Sequence, residues 1–181
     1  LDLRHYRQEL LKRRVALRIR ANNLASYSEY LRLLIKNPDE YTCLFNVLCI
    51  NVSEFFRDPE VWVTARYLLE NVMRQKIQKQ DRMIRIWSAG CASGEEAYSI
   101  AIILKDILQD DTRSFFVKIF ATDIDRETIK NALKAEYQKE NIKNVESKYL
   151  DKYFTLISGR QNYKLKQEIK GMVEFQYQDM T

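Results

Sequence analysis

Apolar side chains recur at helical rather than strand spacing through about the first 80 residues. Asn22-Asn23 interrupts the first run, and Ser26 or Ser28 can cap the next one. Pro38 and Pro59 each stand where the first turn of a further helix is expected, because proline suits that turn and has no N–H to leave unpaired. The pattern predicts a series of helices before any strand.

The pattern changes near Gln75. The segments that follow are a polar stretch (76–82), a short extended run (83–87), a small-residue loop (88–94), a helical pattern (95–109), a second strand (115–121) and a second helical pattern (126–135). Strands that alternate with helices predict a parallel sheet with crossover helices, here the opening half of a Rossmann-like fold.

Residues 143–170 differ again, because 153–156 and 163–169 alternate like strands around a turn at 158–161. We expect a small antiparallel β insertion there, followed by a further strand of the parallel sheet at Val173–Tyr177. The predicted fold class is α/β, with an all-helical N-terminal domain over 1–57, a linker helix over 58–82 and a Rossmann-like domain over 83–181 whose β-subdomain lies at about 143–170.

Composition limits the possible functions. The chain is 46% hydrophobic and 30% charged, which suits a protein with a true core and a soluble surface. No window approaches the ~18 uninterrupted apolar residues of a membrane span, and the first residues are basic rather than apolar. We therefore expect a cytoplasmic protein without direct membrane insertion.

Cysteine and histidine are sparse. Cys43, Cys49 and Cys91 are scattered, and His5 is the sole histidine. A zinc site needs about four ligands at close spacing, so no metal is expected and buried free thiols are the better interpretation. One histidine also argues against Ser-His-Asp or Cys-His catalysis.

The net charge of +5 comes from one end of the chain, since residues 1–20 contain seven basic and two acidic side chains. At about 100° per residue, Arg7, Arg14 and Arg18 fall within one narrow arc of a helix. This arc is either a docking stripe for an acidic partner, nucleic acid or protein, or a solvated helix face.

Residues 86–96 combine a strand end, a loop of small residues and a helix start, which lets the backbone approach a ligand closely. The loop matches neither a Walker motif nor G-x-G-x-x-G. Glu95 and Glu96 would repel a phosphate at the helix N-terminus. They suit S-adenosylmethionine, which carries a sulfonium and an ammonium group. We assign Glu95 to the helix dipole and Glu96 to the ligand.

Further acidic residues follow the later strands. Asp123 ends the second strand and can accept hydrogen bonds from both ribose hydroxyls. Asp125 is better explained as the N-cap of the next helix. Asp179 is either a ligand of the adenine amino group or an ordinary surface aspartate.

These segments resemble the chemotaxis receptor methyltransferases of the CheR type. The matching stretches are Leu10-Leu11-Lys12-Arg13-Arg14, Asn51-x-Ser53-x-Phe55-Phe56-Arg57-Asp58, the block from Trp87 to Ser99, and Ala121-Thr122-Asp123-Ile124-Asp125. They occur in the family order along nearly the whole chain.

The resemblance implies an enzyme that transfers a methyl group from S-adenosylmethionine to glutamate side chains of chemoreceptors, leaving S-adenosylhomocysteine as product. The implied cofactor-binding residues are Asn51, Ser53, Arg57, Ala89, Gly90, Glu96, Asp123, Asp179 and Met180. Arg57 is also the candidate catalytic residue, orienting either the cofactor carboxylate or the substrate.

The resemblance also implies that the basic first helix, through Arg7, Arg13, Arg14 and Arg18, docks on the cytoplasmic helical domain of methyl-accepting chemoreceptors. We expect a monomer that binds no nucleic acid. The alternatives are a nucleic-acid methyltransferase and a non-catalytic receptor-binding module.

The sequence departs from the family pattern at several positions. Ser53 replaces the usual Thr, Ala97 the frequent Pro, and Asp179-Met180 the usual Asn-Leu. The short turn at 158–161 puts a receptor-tail tether in doubt. Relatives continue into strands that finish the pocket, so we expect this chain to be a fragment that alone binds the cofactor weakly and catalyses poorly.

Overall fold

A computed structural model describes residues 8–48, 53–109, 115–157, 159 and 161–179. The chain separates into two compact units, with the division between Ile50 and Asn51. This boundary differs from the one that the sequence analysis drew after residue 57. The reason lies in the backbone: the Phe55 N–H donates to the Asn141 carbonyl at 2.8 Å and the Phe56 N–H to Ser99 Oγ at 3.1 Å. Residues 53–56 therefore belong to the second unit.

The first unit contains three described helices, α1 (Gln8–Ala21), α2 (Tyr27–Lys36) and α3 (Pro38–Leu48). Ser26 caps α2, since its Oγ accepts a hydrogen bond from the Glu29 N–H at 3.2 Å. α3 starts at Pro38. Both helix starts confirm the sequence prediction, because a cap and an N-terminal proline act through local backbone groups alone.

The second unit begins with a helix and continues as an α/β structure. Its first elements are α4 (Pro59–Gln78), β1 (Met83–Ala89), α5 (Glu95–Leu108), β2 (Phe116–Asp123) and α6 (Arg126–Lys134). The later ones are β3 (Glu136–Gln138), a 3-10 helix (Lys139–Ile142), α7 (Ser147–Tyr153), β4 (Phe154–Leu156), β5 (Asn162–Leu165), α8 (Gln167–Lys170) and β6 (Val173–Tyr177).

The main sheet is parallel in the order β1-β2-β6. Ala89 pairs with Thr122, and Asp123 pairs with Tyr177. The carboxyl ends of the three strands therefore lie side by side. The parallel sheet and its crossover helices confirm the predicted fold class.

The two faces of this sheet differ. Ile84 of β1 is buried in the same core as Ala101 and Leu104 of α5, and Ser88, also on β1, is buried as well. The alternate positions Met83 and Trp87 are 43% and 58% exposed. Phe116, the partner of Met83, is 62% exposed. One face of the sheet is thus core, and the other carries large apolar side chains at the surface.

The second sheet is small and antiparallel, in the order β3-β5-β4, as expected for the β insertion. Its first strand begins at Glu136, before the predicted start at 143, and the chain between β3 and β4 forms α7, which the alternation pattern did not reveal. A strand of three residues contains too few positions to display a period of two. In α7, the tyrosines at 149 and 153 are one helical turn apart and both are buried. Among the described helices, none is both long and apolar enough to cross a membrane.

Candidate functional site

The carboxyl ends of β1, β2 and β6, together with the loop over 90–94, form what we call the strand-end edge. The backbone N–H groups of Gly90 and Cys91 both donate to the Thr122 carbonyl, at 2.8 and 3.0 Å. Gly90 has a φ of +72°, and apart from its chain neighbours no atom of the described residues lies within 4 Å of the place where a Cβ would stand. The loop therefore presents open backbone outside the strand ends, where ligands of parallel α/β sheets bind.

Asp123 is buried at this edge and rigidly oriented. Its Oδ2 accepts the Ala92 N–H at 2.7 Å, and its Oδ1 accepts the Asp125 N–H at 2.9 Å. An ionised carboxylate offers about four lone-pair positions, so each oxygen can accept a further donor. The side chain can therefore receive two adjacent hydroxyls without giving up its backbone partners.

Asp125 has a different task. Its Oδ1 accepts the N–H groups of Glu127 and Thr128, at 2.8 and 3.3 Å, at the start of α6. The prediction that Asp125 is an N-cap is confirmed. The two aspartates, two residues apart, therefore divide into one that faces the edge and one that caps a helix.

Glu96 lies in the first turn of α5 with its side chain exposed. Ser88, which is 1% exposed, donates from Oγ to Glu96 Oε1 at 2.7 Å. This hydrogen bond restrains the carboxylate next to the strand end. Ser88 was not among the predicted site residues, although its position directly before Ala89 on β1 was a usable signal.

Glu95 points inward and is 0% exposed. Both of its carboxyl oxygens lie 2.8 Å from Ser93 Oγ, which donates to them, and Asn141 Nδ2 donates to Oε1 at 3.2 Å. Burial raises the pKa of Glu95, while the hydrogen bonds from Ser93, Ser53 and Asn141 act in the opposite direction. The helix-dipole interpretation of Glu95 thus left out its side-chain contacts. No local pattern pointed to Asn141, because its short 3-10 helix has no periodic signal.

Gly94 ends the loop over 90–94 and directly precedes α5. Its φ is +91°, and a Cβ there would lie 2.8 Å from the Phe175 ring and 3.1 Å from the Ala132 Cβ. A side chain would therefore meet both a strained backbone and an occupied space. This glycine lets α5 start close to β6 and α6.

The segment before α4 brings its own polar groups. Ser53 is half-buried, and the Arg57 guanidinium is 61% exposed with Asp58 at 3.9 Å. The Arg57 carbonyl accepts the Trp62 indole N–H at 2.8 Å. Phe56 is buried, which confirms the interpretation of the aromatic pair as core. The cofactor and catalytic roles of Ser53 and Arg57 stay predictions.

Asp179 follows β6 at the same edge. The N–H of Gln178 donates to the Asp123 carbonyl at 2.9 Å, which joins the end of β6 to that of β2. The predicted residues Ala89, Gly90, Glu96, Asp123 and Asp179 thus all lie at the strand-end edge, and their ligand roles stay predictions. Asn51, Met180 and Arg7 lie outside the described residues.

Two arginines of the predicted docking stripe are held inside the first unit. Arg18 donates to both oxygens of Glu40, from Nε at 2.9 Å and from Nη2 at 2.6 Å, and Tyr30 adds a hydrogen bond at 2.7 Å. The hydrogen bond from Arg18 is the main reason that the pKa of Glu40 falls to about 2. Arg14 donates to the carbonyls of Val47 and Leu48. Both side chains therefore join α1 to α3.

Two cavities of the second unit lie away from the strand-end edge. One, of about 600 Å³, lies between α4 and β1 and is lined in part by Met73 and Ile84. The other, of about 190 Å³, is lined by aromatic residues that include Trp62 and Tyr149. We assign the site from the convergence of oriented carboxylates and open backbone at the strand ends rather than from cavity size.

Comparison with known families gives a match along the chain. Residues 1–49 match the CheR methyltransferase all-alpha domain, and residues 51–181 match the CheR methyltransferase SAM-binding domain.

Individual relatives agree with this match. The chemotaxis protein methyltransferase of Escherichia coli (strain K12) is 29% identical over 177 residues, which are 96% of this chain and 58% of that protein. Chemotaxis protein methyltransferase 2 of Pseudomonas aeruginosa is 31% identical over 177 residues, covering 97% of this chain and 61% of the relative. An uncharacterized 104.1 kDa protein of Rhodobacter capsulatus is 29% identical over 171 residues, 94% of this chain and 18% of that protein.

The chain spans about three-fifths of the length of the two chemotaxis methyltransferases. The family models nevertheless match in order and together extend over both structural units. On that ground the chain belongs to the CheR methyltransferase family.

Proposed function

We propose that this chain supplies the cofactor-binding part of an S-adenosylmethionine-dependent methyltransferase that esterifies glutamate side chains of chemoreceptors. The observation that carries the proposal is the pair of oriented carboxylates, Glu96 and Asp123, beside the open backbone of Gly90. The names of the chemotaxis methyltransferases that the chain resembles support the choice of substrate.

The two carboxylates suit the hydrogen-bond donors and the positive charge of this cofactor. Asp123 has acceptor capacity for two ribose hydroxyls, and Glu96 carries a negative charge that suits an ammonium or sulfonium group. A phosphate-bearing nucleotide would meet repulsion from the same carboxylates. When bound, S-adenosylmethionine supplies the methyl group, and S-adenosylhomocysteine is the product.

Methyl transfer to a glutamate carboxylate requires little acid–base catalysis from the enzyme. A glutamate side chain has a reference pKa of about 4.3, so it is ionised and nucleophilic at neutral pH. The contributions that remain are orientation and electrostatics. Arg57 suits the task of orienting a carboxylate, since its guanidinium is largely exposed at the end of the segment that contacts α5. We expect Arg57→Ala in the intact enzyme to lower methyl transfer strongly without changing the melting temperature.

We further propose that the activity belongs to a longer polypeptide. Parallel sheets are normally covered on both faces, yet Met83, Trp87 and Phe116 are exposed on one face of this sheet. The relatives' greater length supports the same view. We therefore expect this chain alone to bind S-adenosylhomocysteine more weakly than micromolar in a calorimetric titration. A micromolar or tighter dissociation constant would refute that expectation.

Ligand-observed NMR at millimolar S-adenosylhomocysteine tests the site itself. We expect Asp123→Asn and Glu96→Gln each to weaken binding about tenfold, or about 1.4 kcal/mol, as loss of a charged hydrogen-bond acceptor does. Glu127→Gln is the matched control, because this exposed carboxylate pairs with Lys130 on α6. Equal affinities for all three variants would exclude the strand-end edge as the cofactor site.

The proposed partner is the acidic helical surface of a chemoreceptor, docked by the basic α1. Arg13 and Lys12 are exposed on α1, whereas Arg14 and Arg18 contact α3. We expect Arg13→Glu to weaken binding to a receptor cytoplasmic fragment in a pull-down assay, with Lys36→Glu on α2 as the control. The nucleic-acid alternative instead predicts steep salt dependence of binding to DNA or RNA.

A further inference from the structure

Within the described part of the chain, the side chains that donate hydrogen bonds to the buried carboxyl of Glu95 are all neutral. They are the hydroxyl groups of Ser93 and Ser53 and the amide of Asn141. A buried carboxyl costs folding free energy unless its hydrogen bonds compensate, and a hydrophobic residue would usually serve the core better. Packing alone therefore does not explain why a carboxyl group occupies this buried position.

Asn141 connects Glu95 to the segment before α4. Its Nδ2 donates both to Glu95 Oε1 at 3.2 Å and to the Ser53 carbonyl at 3.3 Å. Its own carbonyl accepts the Phe55 N–H at 2.8 Å, and its Oδ1 accepts the Gln138 N–H at 3.2 Å. One asparagine thus holds together three separate stretches of chain.

A second connection runs through Ser99. The Phe56 N–H donates to Ser99 Oγ at 3.1 Å, and the same hydroxyl donates to the Glu95 carbonyl at 2.7 Å. Phe56 has a positive φ of +52°, a conformation that costs free energy for a residue with a side chain and needs external contacts to persist. We call the set Ser53, Ser93, Glu95, Ser99 and Asn141 the clasp.

We propose that Glu95 is a positioning residue: through the clasp it holds residues 53–57 beside the loop over 90–94 and so sets where Arg57 stands. This inference rests on the proposed function for its link to the cofactor. A carboxylate suits the position because it accepts only, and three donors converge on it. A glutamine has one acceptor oxygen instead of two, so its NH2 group would face at least one of these donors.

The test exchanges donor and acceptor. Glu95→Gln turns an NH2 group toward part of the clasp, and Asn141→Asp places a carboxyl opposite both the Glu95 carboxyl and the Ser53 carbonyl. The double variant restores one donor opposite one acceptor between positions 95 and 141, while the Ser53 carbonyl still faces a carboxyl. We measure amide hydrogen exchange by mass spectrometry on peptides that cover residues 53–57 and, as reference, β2. We expect each single variant to speed exchange at 53–57 about tenfold with β2 unchanged, and the double variant to recover only part of the loss, because the hydrogen bond to the Ser53 carbonyl stays broken.

Two results would overturn the proposal: unchanged exchange at 53–57 in both single variants, or an equal rise throughout the second unit, which would make Glu95 a general stability residue. Should Glu95→Gln fail to fold, Asn141→Ser tests the same connection from the more accessible side.

The affinity for S-adenosylhomocysteine is measured in a separate experiment. We expect Glu95→Gln to weaken S-adenosylhomocysteine binding and the double variant to restore it in part, whereas Glu96→Gln weakens binding with normal exchange at 53–57. Faster amide exchange at 53–57 in Glu95→Gln, together with an unchanged affinity for S-adenosylhomocysteine, would overturn the positioning role. A wild-type chain that does not bind at millimolar ligand would refute the proposed function, and the exchange data would then decide on the clasp alone.

Discussion

Replacing Glu40 with glutamine removes the charge from a buried ion pair while keeping the shape of the side chain. Glu40 is 5% exposed and accepts hydrogen bonds from Arg18 and Tyr30. Its pKa is about 2 against an ordinary value of 4.5, and each pH unit corresponds to about 1.4 kcal/mol, so the charge contributes roughly 3 kcal/mol at neutral pH. Because the Arg18 side chain stays 22% exposed and partly screened, we expect Glu40→Gln to cost about 2–3 kcal/mol.

The pH dependence has a definite sign. The pKa of Glu40 is lower in the folded protein than in the unfolded chain, so its stabilisation is complete well above 4.5 and is lost as the pH falls toward 2. At pH 3 the folded carboxyl is still mostly ionised and the unfolded one mostly protonated, which leaves about 1 kcal/mol. The difference between wild type and Glu40→Gln should therefore shrink by more than half between pH 7 and pH 3.

Urea unfolding followed by circular dichroism measures both quantities. Asp39→Asn is the matched control, because Asp39 is exposed in the same helical turn of α3, and it should change stability by about 0.5 kcal/mol or less. A Glu40→Gln variant as stable as wild type at pH 7 would refute the reasoning. So would a stability difference that is the same at pH 3 as at pH 7.

Three further predictions concern the second unit and the thiols. Gly94→Ala should lower the free energy of unfolding by about 2–4 kcal/mol in thermal melts, because it adds a clash to an unfavourable φ, whereas Gly90→Ala should cost only about 1–2 kcal/mol for the φ. Asp125→Ala should cost about 1 kcal/mol in the same assay through loss of the α6 cap. Burial raises the pKa of the Cys91 thiol to about 12, so a thiol reagent at neutral pH should label the exposed Cys43 in the folded chain and Cys91 only after unfolding.

Each of these predictions has a contrary outcome. If Gly94→Ala and Gly90→Ala lowered the free energy of unfolding equally, the Phe175 ring would have to move aside freely. A stable Asp125→Ala variant would mean that water satisfies the start of α6. Rapid labelling of Cys91 in the folded chain, located by peptide mass mapping, would mean that the loop over 90–94 opens readily.

Local chemistry made several features predictable from the sequence. The starts of α2, α3 and α6 depend on Ser26, Pro38 and Asp125, whose effects act on backbone groups within a few residues. The alternation of strand and helix predicted the parallel sheet, and the small residues around Gly90 predicted a loop with open backbone. Patterns of this kind are readable because their physical cause is close along the chain.

Only the tertiary structure decided which residues the predicted helix faces and site side chains contact. Periodicity grouped Arg14 and Arg18 on one side of a helix, but it could not reveal that α3 lies there with Glu40. The sequence analysis assigned Glu95 to the helix dipole and Glu96 to the ligand, but it could not reveal that packing buries Glu95 among neutral donors and leaves Glu96 at the surface beside Ser88. The sequence by itself thus determined the longer helices, the strands of the parallel sheet and the caps of α2 and α6, but not β3, the 3-10 helix or α7. The fold decided their partners, because contacts between residues far apart in the chain depend on how whole elements pack.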